Sequence, residues 1–183
     1  MTSVQQPKKK HTFVSLLLAF VLPFTLVFGV QYFFFKNYWV PSASMENTLM
    51  TGDKVFGTLL INYTPTRGDI IVFKDDKKWF NAVGDQNIVK RVIGVEGDVV
   101  ECCSEDGRIV INGVPIDEPY IVGENEFFAP QTVPEGHIFV LGDNREHSAD
   151  SRSHIEEGTQ FINEKSLLSR VWAIWSPHIE LIS

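Results

Sequence analysis

Apolar positions fall into two regimes along the chain. From Thr12 to Phe35 the run TFVSLLLAFVLPFTLVFGVQYFFF holds 24 residues without a charge. As a helix rising about 1.5 Å per residue it would reach roughly 36 Å, against a hydrocarbon core of about 30 Å. The pattern predicts one N-terminal transmembrane helix over residues 12–35. Pro23 and Gly29 lie inside it, which a span tolerates where neighbouring groups satisfy the freed carbonyl. Lys8, Lys9, Lys10 and His11 precede it and only Lys36 closely follows. The positive-inside rule therefore predicts a cytoplasmic tail over 1–11, with residues 36–183 outside the cell membrane as a single-pass protein. A cleaved signal peptide would share the basic start, but this run is about twice the usual length of such an apolar region.

Beyond residue 35 the pattern changes to short apolar runs rich in Val, Ile and Phe, punctuated by Gly, Pro, Asn and Asp. Strands are predicted at Lys54 to Leu60, Asp69 to Phe73, Ile88 to Ile93, Asp98 to Glu101, Arg108 to Ile111, Val114 to Ile116, His137 to Leu141 and Val171 to Trp175. Asn112-Gly113, between RIVI and VPI, marks a two-residue hairpin whose type I′ turn needs positive φ at both positions. One short helix is predicted near Asn163 to Leu168. The domain reads as mainly β with antiparallel connections.

Composition narrows the function classes. The chain has 183 residues, 44% of them hydrophobic and 21% charged, and a formal net charge of −7. Three Lys and no acid fall within residues 1–35, so the remaining 148 residues carry 13 basic and 23 acidic side chains, a balance of −10. That argues against nucleic acid as a partner and against polybasic docking on anionic lipid. A segment of this length suffices for one core.

Five histidines, His11, His137, His147, His154 and His178, raise the question of a Ser-His-Asp triad or a metal site, with His147, Asp150 and His154 the obvious group. The nucleophile elbow G-x-S-x-G, the zinc signature H-E-x-x-H and the S-x-x-K motif are all absent. A metal site at these positions competes with plain solvated loop side chains, and no metal is expected.

A hydroxyl paired with a lysine remains. The segments PSASMENTL (Pro41 to Leu49), RGDIIVF (Arg67 to Phe73), KRVIGVEGD (Lys90 to Asp98) and GDNREHSADSR (Gly142 to Arg152) resemble, in order and spacing, those of bacterial type I signal peptidases. The resemblance implies an antiparallel coiled-sheet, barrel-like signal peptidase fold after a membrane helix, with residues 36–183 as the catalytic domain. It implies Ser44 as nucleophile, Lys90 as general base, and Ser42 with the Ser44 N–H as oxyanion hole. Ser148 would orient the lysine amine. Asp143, Arg145, Asp150 and Arg152 would form salt bridges stiffening their loop, Asp143 with Arg91. Val40, Pro41, Met45, Leu49, Ile88, Val89 and Val140 match the family's pocket positions for small substrate residues, against the plainer reading of core packing. Asn47 stands where relatives often have Pro, and Glu146-His147 where they often have Asp-Asn.

The residues around Lys90 carry an expectation of their own. Strand alternation sets Lys90 on one face with Ile88 and Val92, and Arg91 on the other with Val89 and Ile93. A lysine at its reference pKa near 10.4 cannot accept a serine proton at pH 7. It must be lowered by about two to three units, at about 3 to 4 kcal/mol, which burial without a counter-carboxylate achieves. Lys90 is therefore expected to have no carboxylate partner.

Cys102 and Cys103 are adjacent. A disulfide between them and two free or intermolecular thiols both stay open. Trp79-Phe80 and Phe127-Phe128 sit in polar surroundings, either dipping into an interface or buried in the core.

The expected activity is removal of N-terminal signal peptides from secreted preproteins at Ala-x-Ala sites by a membrane-anchored serine endopeptidase. No cofactor is needed, and the partners are preproteins, the lipid bilayer and the protein-export machinery. The rivals are a self-cleaving regulatory Ser/Lys protease and a membrane-tethered inactive homologue acting as a binding or assembly module.

Overall fold

The structure, a computed structural model, describes the backbone of residues 10–59, 63–76, 79–80, 87–176 and 180–182. The chain forms two compact units, residues 1–35 and 36–183.

The first unit contains α1 (Lys10–Phe34), with Pro23 inside it. Thr25 Oγ1 donates to the carbonyls of Val21 and Leu22, near that proline. The expected membrane-spanning helix over 12–35 is corrected here: among the described residues no helix is long and apolar enough to cross a membrane. The side chains of α1 beyond 15–26, apart from Phe28 and Gly29, and the tail over 1–9 lie outside the described residues. The single-pass membrane placement with a cytoplasmic N-terminus, which rested on that span, falls with it.

The second unit is mainly β and antiparallel, as the patterning predicts. Its strands are β1 (Phe35–Trp39), β2 (Lys54–Leu59), β3 (Ile70–Lys74), β4 (Asn87–Gly94), β5 (Val99–Cys102), β6 (Ile109–Ile111), β7 (Val114–Pro115), β8 (Phe128–Thr132), β9 (His137–Leu141), β10 (Ile162–Asn163), β11 (Leu167–Ser176) and β12 (Glu180–Leu181). One sheet runs β1-β2-β11-β3-β4-β9-β10, with β12 also on β11; the other runs β7-β6-β5-β8.

Three apolar clusters fill this unit. Ile93, Val100, Ile109 and Phe139 centre one that includes residues of both sheets. Two more lie against the large sheet: Val55 and Ile70 with Val40, Met45 and Leu49 of the segment between β1 and β2 in one, and Ile71, Phe73, Ile88, Val92 and Val140 in the other. Residues 70 to 73 alternate between these two clusters, as the period of two in a strand requires. β4 lies between β3 and β9, and Lys90 faces Ile71 across the ladder.

Asn112 and Gly113 have φ of 52° and 80°, the left-handed pair that the hairpin between β6 and β7 needs. Asn112 also accepts a hydrogen bond from the Val99 N–H and donates to Asp98. The short helix expected at Asn163 to Leu168 is only a 3-10 turn, Glu164–Ser166, capped by the Asn163 side chain. Leu167 instead begins β11, paired with Phe73, because its apolar side chain is needed on the sheet. β1, β8, β10 and β12 were not expected. Phe128–Thr132 reads FAPQT, whose proline disguises an edge strand. Trp79 is buried against Phe73 and His154. Phe128 is also buried, whereas Phe127 is 82% exposed.

Candidate active site

Ser44 sits in the 3-10 turn Ala43–Met45 between β1 and β2. The turn is anchored from inside by Met45 and Leu49, both fully buried, and the Leu49 N–H donates to the Met45 carbonyl at 2.7 Å. Asn47 takes a positive φ of 79°, which a proline could not adopt. Lys90 comes from the middle of β4 and is 2% exposed. Its Nζ donates to Ser44 Oγ at 2.7 Å, so two groups 46 residues apart in sequence meet in a buried place.

Among the described residues no carboxylate lies within ion-pair distance of Lys90. Burial pushes its pKa down from 10.5 to about 8; the charges of Asp150 and Asp143 oppose the shift, and that of Arg152 assists it.

Arg91, the next residue, has the reverse surroundings. Its Nε and Nη2 donate to the two oxygens of Asp143 at 2.8 and 2.6 Å, and its Nη1 donates to the Gly68 carbonyl at 2.9 Å. Thr48 Oγ1 donates to Asp143 at 2.5 Å, joining the nucleophile's turn to this pair.

The loop after β9 is held by three ion pairs. Asp143 takes Arg91, as expected, and Asp150 takes Arg152. Arg145 pairs with the buried Glu118 at 2.7 Å, while its Nε donates to the Gly142 carbonyl of its own loop at 3.1 Å. Burial alone would raise the Asp150 carboxyl, but Arg152 and the Gly142 N–H outweigh it and hold the pKa below the usual range. Gly142 is needed for close approach, since a Cβ there would collide with Ser148 Oγ and the Ser44 carbonyl. The Asn144 N–H donates to that same carbonyl at 3.1 Å.

One expected contact differs. Ser148 Oγ, expected to orient the Lys90 amine, is buried without a hydrogen-bond partner of good geometry. It lies near enough to Asp150 to help hold that carboxyl down. Ser42 is exposed, and its hydroxyl donates to Ser44 Oγ at a long 3.4 Å. The pocket positions also divide. Val40, Met45 and Leu49 share one cluster, with Val89 packed against it; Ile88 and Val140 belong to the other cluster of the large sheet, and Pro41 is exposed.

His147, Asp150 and His154 have separate neighbours: His147 Nδ1 lies 3.3 Å from Asn144, and Asp150 binds Arg152. His154 stacks on Trp79 and pairs with Glu157. Cys102 and Cys103 form a disulfide with each other, across a cis peptide bond.

Sequence reasoning missed the segment from Glu118 to Asn125, which straps the site. The Val122 N–H donates to the Asp143 carbonyl and the Val122 carbonyl accepts from the Arg145 N–H. Glu118 and Asn125 both hold Arg145, and Asn47 Nδ2 donates to the Tyr120 carbonyl at 3.3 Å. The available signal was Glu118-Pro119-Tyr120, an acid and an aromatic in an otherwise featureless loop.

A sequence profile described as signal peptidase, peptidase S26, matches residues 13–176. Signal peptidase I of Bacillus licheniformis is 31% identical over 195 residues, covering 99% of this chain and 98% of that protein. A probable signal peptidase I of Mycobacterium leprae is 33% identical, covering 82% of this chain and 67% of that protein. The crystal structure of a signal peptidase I from Enterococcus faecalis aligns with a TM-score of 0.45 at 33% identity, covering 59% of this chain and 97% of that one. The class is thus an enzyme, a serine endopeptidase. Within that class the chain belongs to the signal peptidase family, peptidase S26, as a signal peptidase I.

Proposed function

We propose that Ser44 and Lys90 form a catalytic dyad that removes N-terminal signal peptides from preproteins at sites with small residues, Ala-x-Ala, before the cut. The observation that carries this is the 2.7 Å contact between a buried hydroxyl and a buried amine. With Lys90 neutral, the hydrogen bond reverses and the Ser44 hydroxyl donates to Nζ. The amine takes that proton as Oγ bonds to the scissile carbonyl carbon. The Ser44 N–H and the Ser42 hydroxyl stabilise the oxyanion. The Lys90 ammonium then protonates the leaving amine as the C–N bond breaks, leaving an acyl group on Ser44. Water, deprotonated by Lys90, hydrolyses this ester and restores the hydroxyl.

Asp143, Arg145, Asp150, Arg152 and Arg91 act in this reading by holding the loop and strand around the dyad. Ser148 supports the amine indirectly, through Asp150. Val40, Met45 and Leu49, at most 2% exposed, pack with Val89 as core around the nucleophile's turn, and Pro41, Ile88 and Val140 lie outside that cluster.

The test is cleavage of a preprotein with an Ala-x-Ala site by wild type, Ser44→Ala and Lys90→Met. Wild type should cut after the second Ala, with activity rising with pH through a midpoint near 8 as Lys90 loses its proton. Each variant should lose about 10³-fold or more in kcat while remaining folded. Near-normal cleavage by either variant removes that residue from the dyad. A folded wild type that never cuts favours an inactive binding module.

A further inference from the structure

We infer that Tyr120 is a positioning residue for the site: its ring closes the open face of the Arg91 guanidinium and so keeps the strand that presents Lys90 in register with the turn that presents Ser44. This rests on the proposed dyad. Arg91 Cζ stands 3.8 Å from the centre of the Tyr120 ring, close enough for a cation–π contact. In the guanidinium plane Arg91 is already held by Asp143, the Gly68 carbonyl and Thr48. The ring thus covers a face that hydrogen bonds in that plane do not reach.

Tyr120 is itself fixed at two points. Its hydroxyl donates to Glu118 at 3.1 Å, Glu118 is bound to Arg145, and the Tyr120 carbonyl accepts from Asn47 in the nucleophile's turn. Burial, then the neighbouring Glu118 charge, raises the phenol's pKa, so it stays a donor. One side chain therefore touches the residue beside the lysine, while its own backbone touches the turn of the serine.

The groups facing the lysine turn this geometry into a measurable effect. Ser44 and the apolar Ile71 adjoin Lys90, and the charges it senses are Asp143, Asp150 and Arg152. Arg91 neutralises Asp143. When the ring is removed, water reaches the guanidinium face, the pair loosens, and the less neutralised Asp143 charge raises the pKa of Lys90.

The experiment compares the full chain as wild type, Tyr120→Phe, Tyr120→Met and Tyr120→Leu, with active sites counted by the burst of the first turnover. Tyr120→Met, which replaces the π face with a flexible apolar chain, should lose about tenfold in kcat per site with KM within about twofold, and its pH midpoint should rise by about half a unit. Tyr120→Phe, which keeps the face, should restore the wild-type midpoint. Tyr120→Leu serves if the Met variant does not fold.

An unmoved midpoint and kcat in a folded variant without the ring overturn the role. So does a Phe variant as impaired as the Met variant, which would assign the effect to the hydroxyl and Glu118. Failure of both the Met and Leu variants to fold, with Phe folding, would make the ring a stability element only. Ser44→Ala in the same assay reports separately on the dyad. Activity surviving there sinks the dyad, whereas an inert Ser44→Ala beside an unmoved Tyr120→Met sinks only the inference about Tyr120.

Discussion

Lys90 and Arg91 are neighbours on β4, 2% and 4% exposed, yet the structure treats their charges in opposite ways. Arg91 is wrapped by Asp143, Thr48, the Gly68 carbonyl and the Tyr120 ring. Burial alone would lower its pKa, but the Asp143 hydrogen bonds outweigh it and the net shift is upward. Among the described residues Lys90 has one hydrogen-bond partner, an uncharged hydroxyl, and its pKa falls to about 8. Strand alternation makes the contrast possible, since it turns adjacent side chains to opposite faces. Burial is therefore not in itself a signal of a base: the absence of a paired carboxylate separates the two cations.

The comparison breaks most sharply at Asp143. Asp143→Asn leaves a buried guanidinium without its counter-charge, and the expected loss is about 3–5 kcal/mol in denaturant unfolding. A loss below about 1 kcal/mol would mean that Thr48, Gly68 and Tyr120 hold Arg91 unaided.

Lys90 should respond with the opposite sign. Its folded pKa lies below its unfolded value, so between about 8 and 10.5 the unfolded chain binds more protons and stability rises with pH. Below about 8 both states are protonated and the folded state carries the full cost of the buried charge, about 3 kcal/mol at 1.36 kcal/mol per pKa unit. Lys90→Met should thus be more stable than wild type by up to about 3 kcal/mol at pH 7, with the gap closing as pH approaches 10.5. A variant of equal or lower stability at pH 7, with no pH-dependent gap, would show that Lys90 is not strained by burial.

The sequence makes the strand side of this contrast legible and hides the loop side. Alternation in Ile88 to Ile93 separates Lys90 from Arg91 by face, and four motifs in order bring Ser44, Lys90 and the loop from Gly142 to Arg152 under one family. The Asn112-Gly113 turn is readable for a similar reason, because few residue pairs supply two positive φ angles. Arg145 does hold its own loop, through the Gly142 carbonyl, but its ion-pair partner is Glu118, 27 residues earlier and outside any motif. Tyr120 carries no periodic signal at all. Contacts between irregular segments depend on where the sheet delivers them, and local pattern does not encode that. The apolar run over residues 12–35 does form helix, α1, but among the described residues no helix is long and apolar enough to cross a membrane.

The finest division between the two cations lies at Thr48. Its hydroxyl donates to Asp143 and accepts from Arg91 Nη2 at 3.2 Å, so it serves the paired cation and makes no contact with the unpaired one. Thr48→Val keeps the shape and removes the hydroxyl. The bidentate Arg91–Asp143 contact survives, so the expected cost is about 1–2 kcal/mol, well below that of Asp143→Asn. Because the ion pair remains closed, Asp143 stays neutralised and the pH midpoint of cleavage should hold within about 0.2 units of wild type. A midpoint that moves upward with so small a loss of stability would show that the turn, rather than the strand, keeps Asp143 from acting on Lys90. The two faces of β4 would then be electrostatically coupled through the nucleophile's own turn.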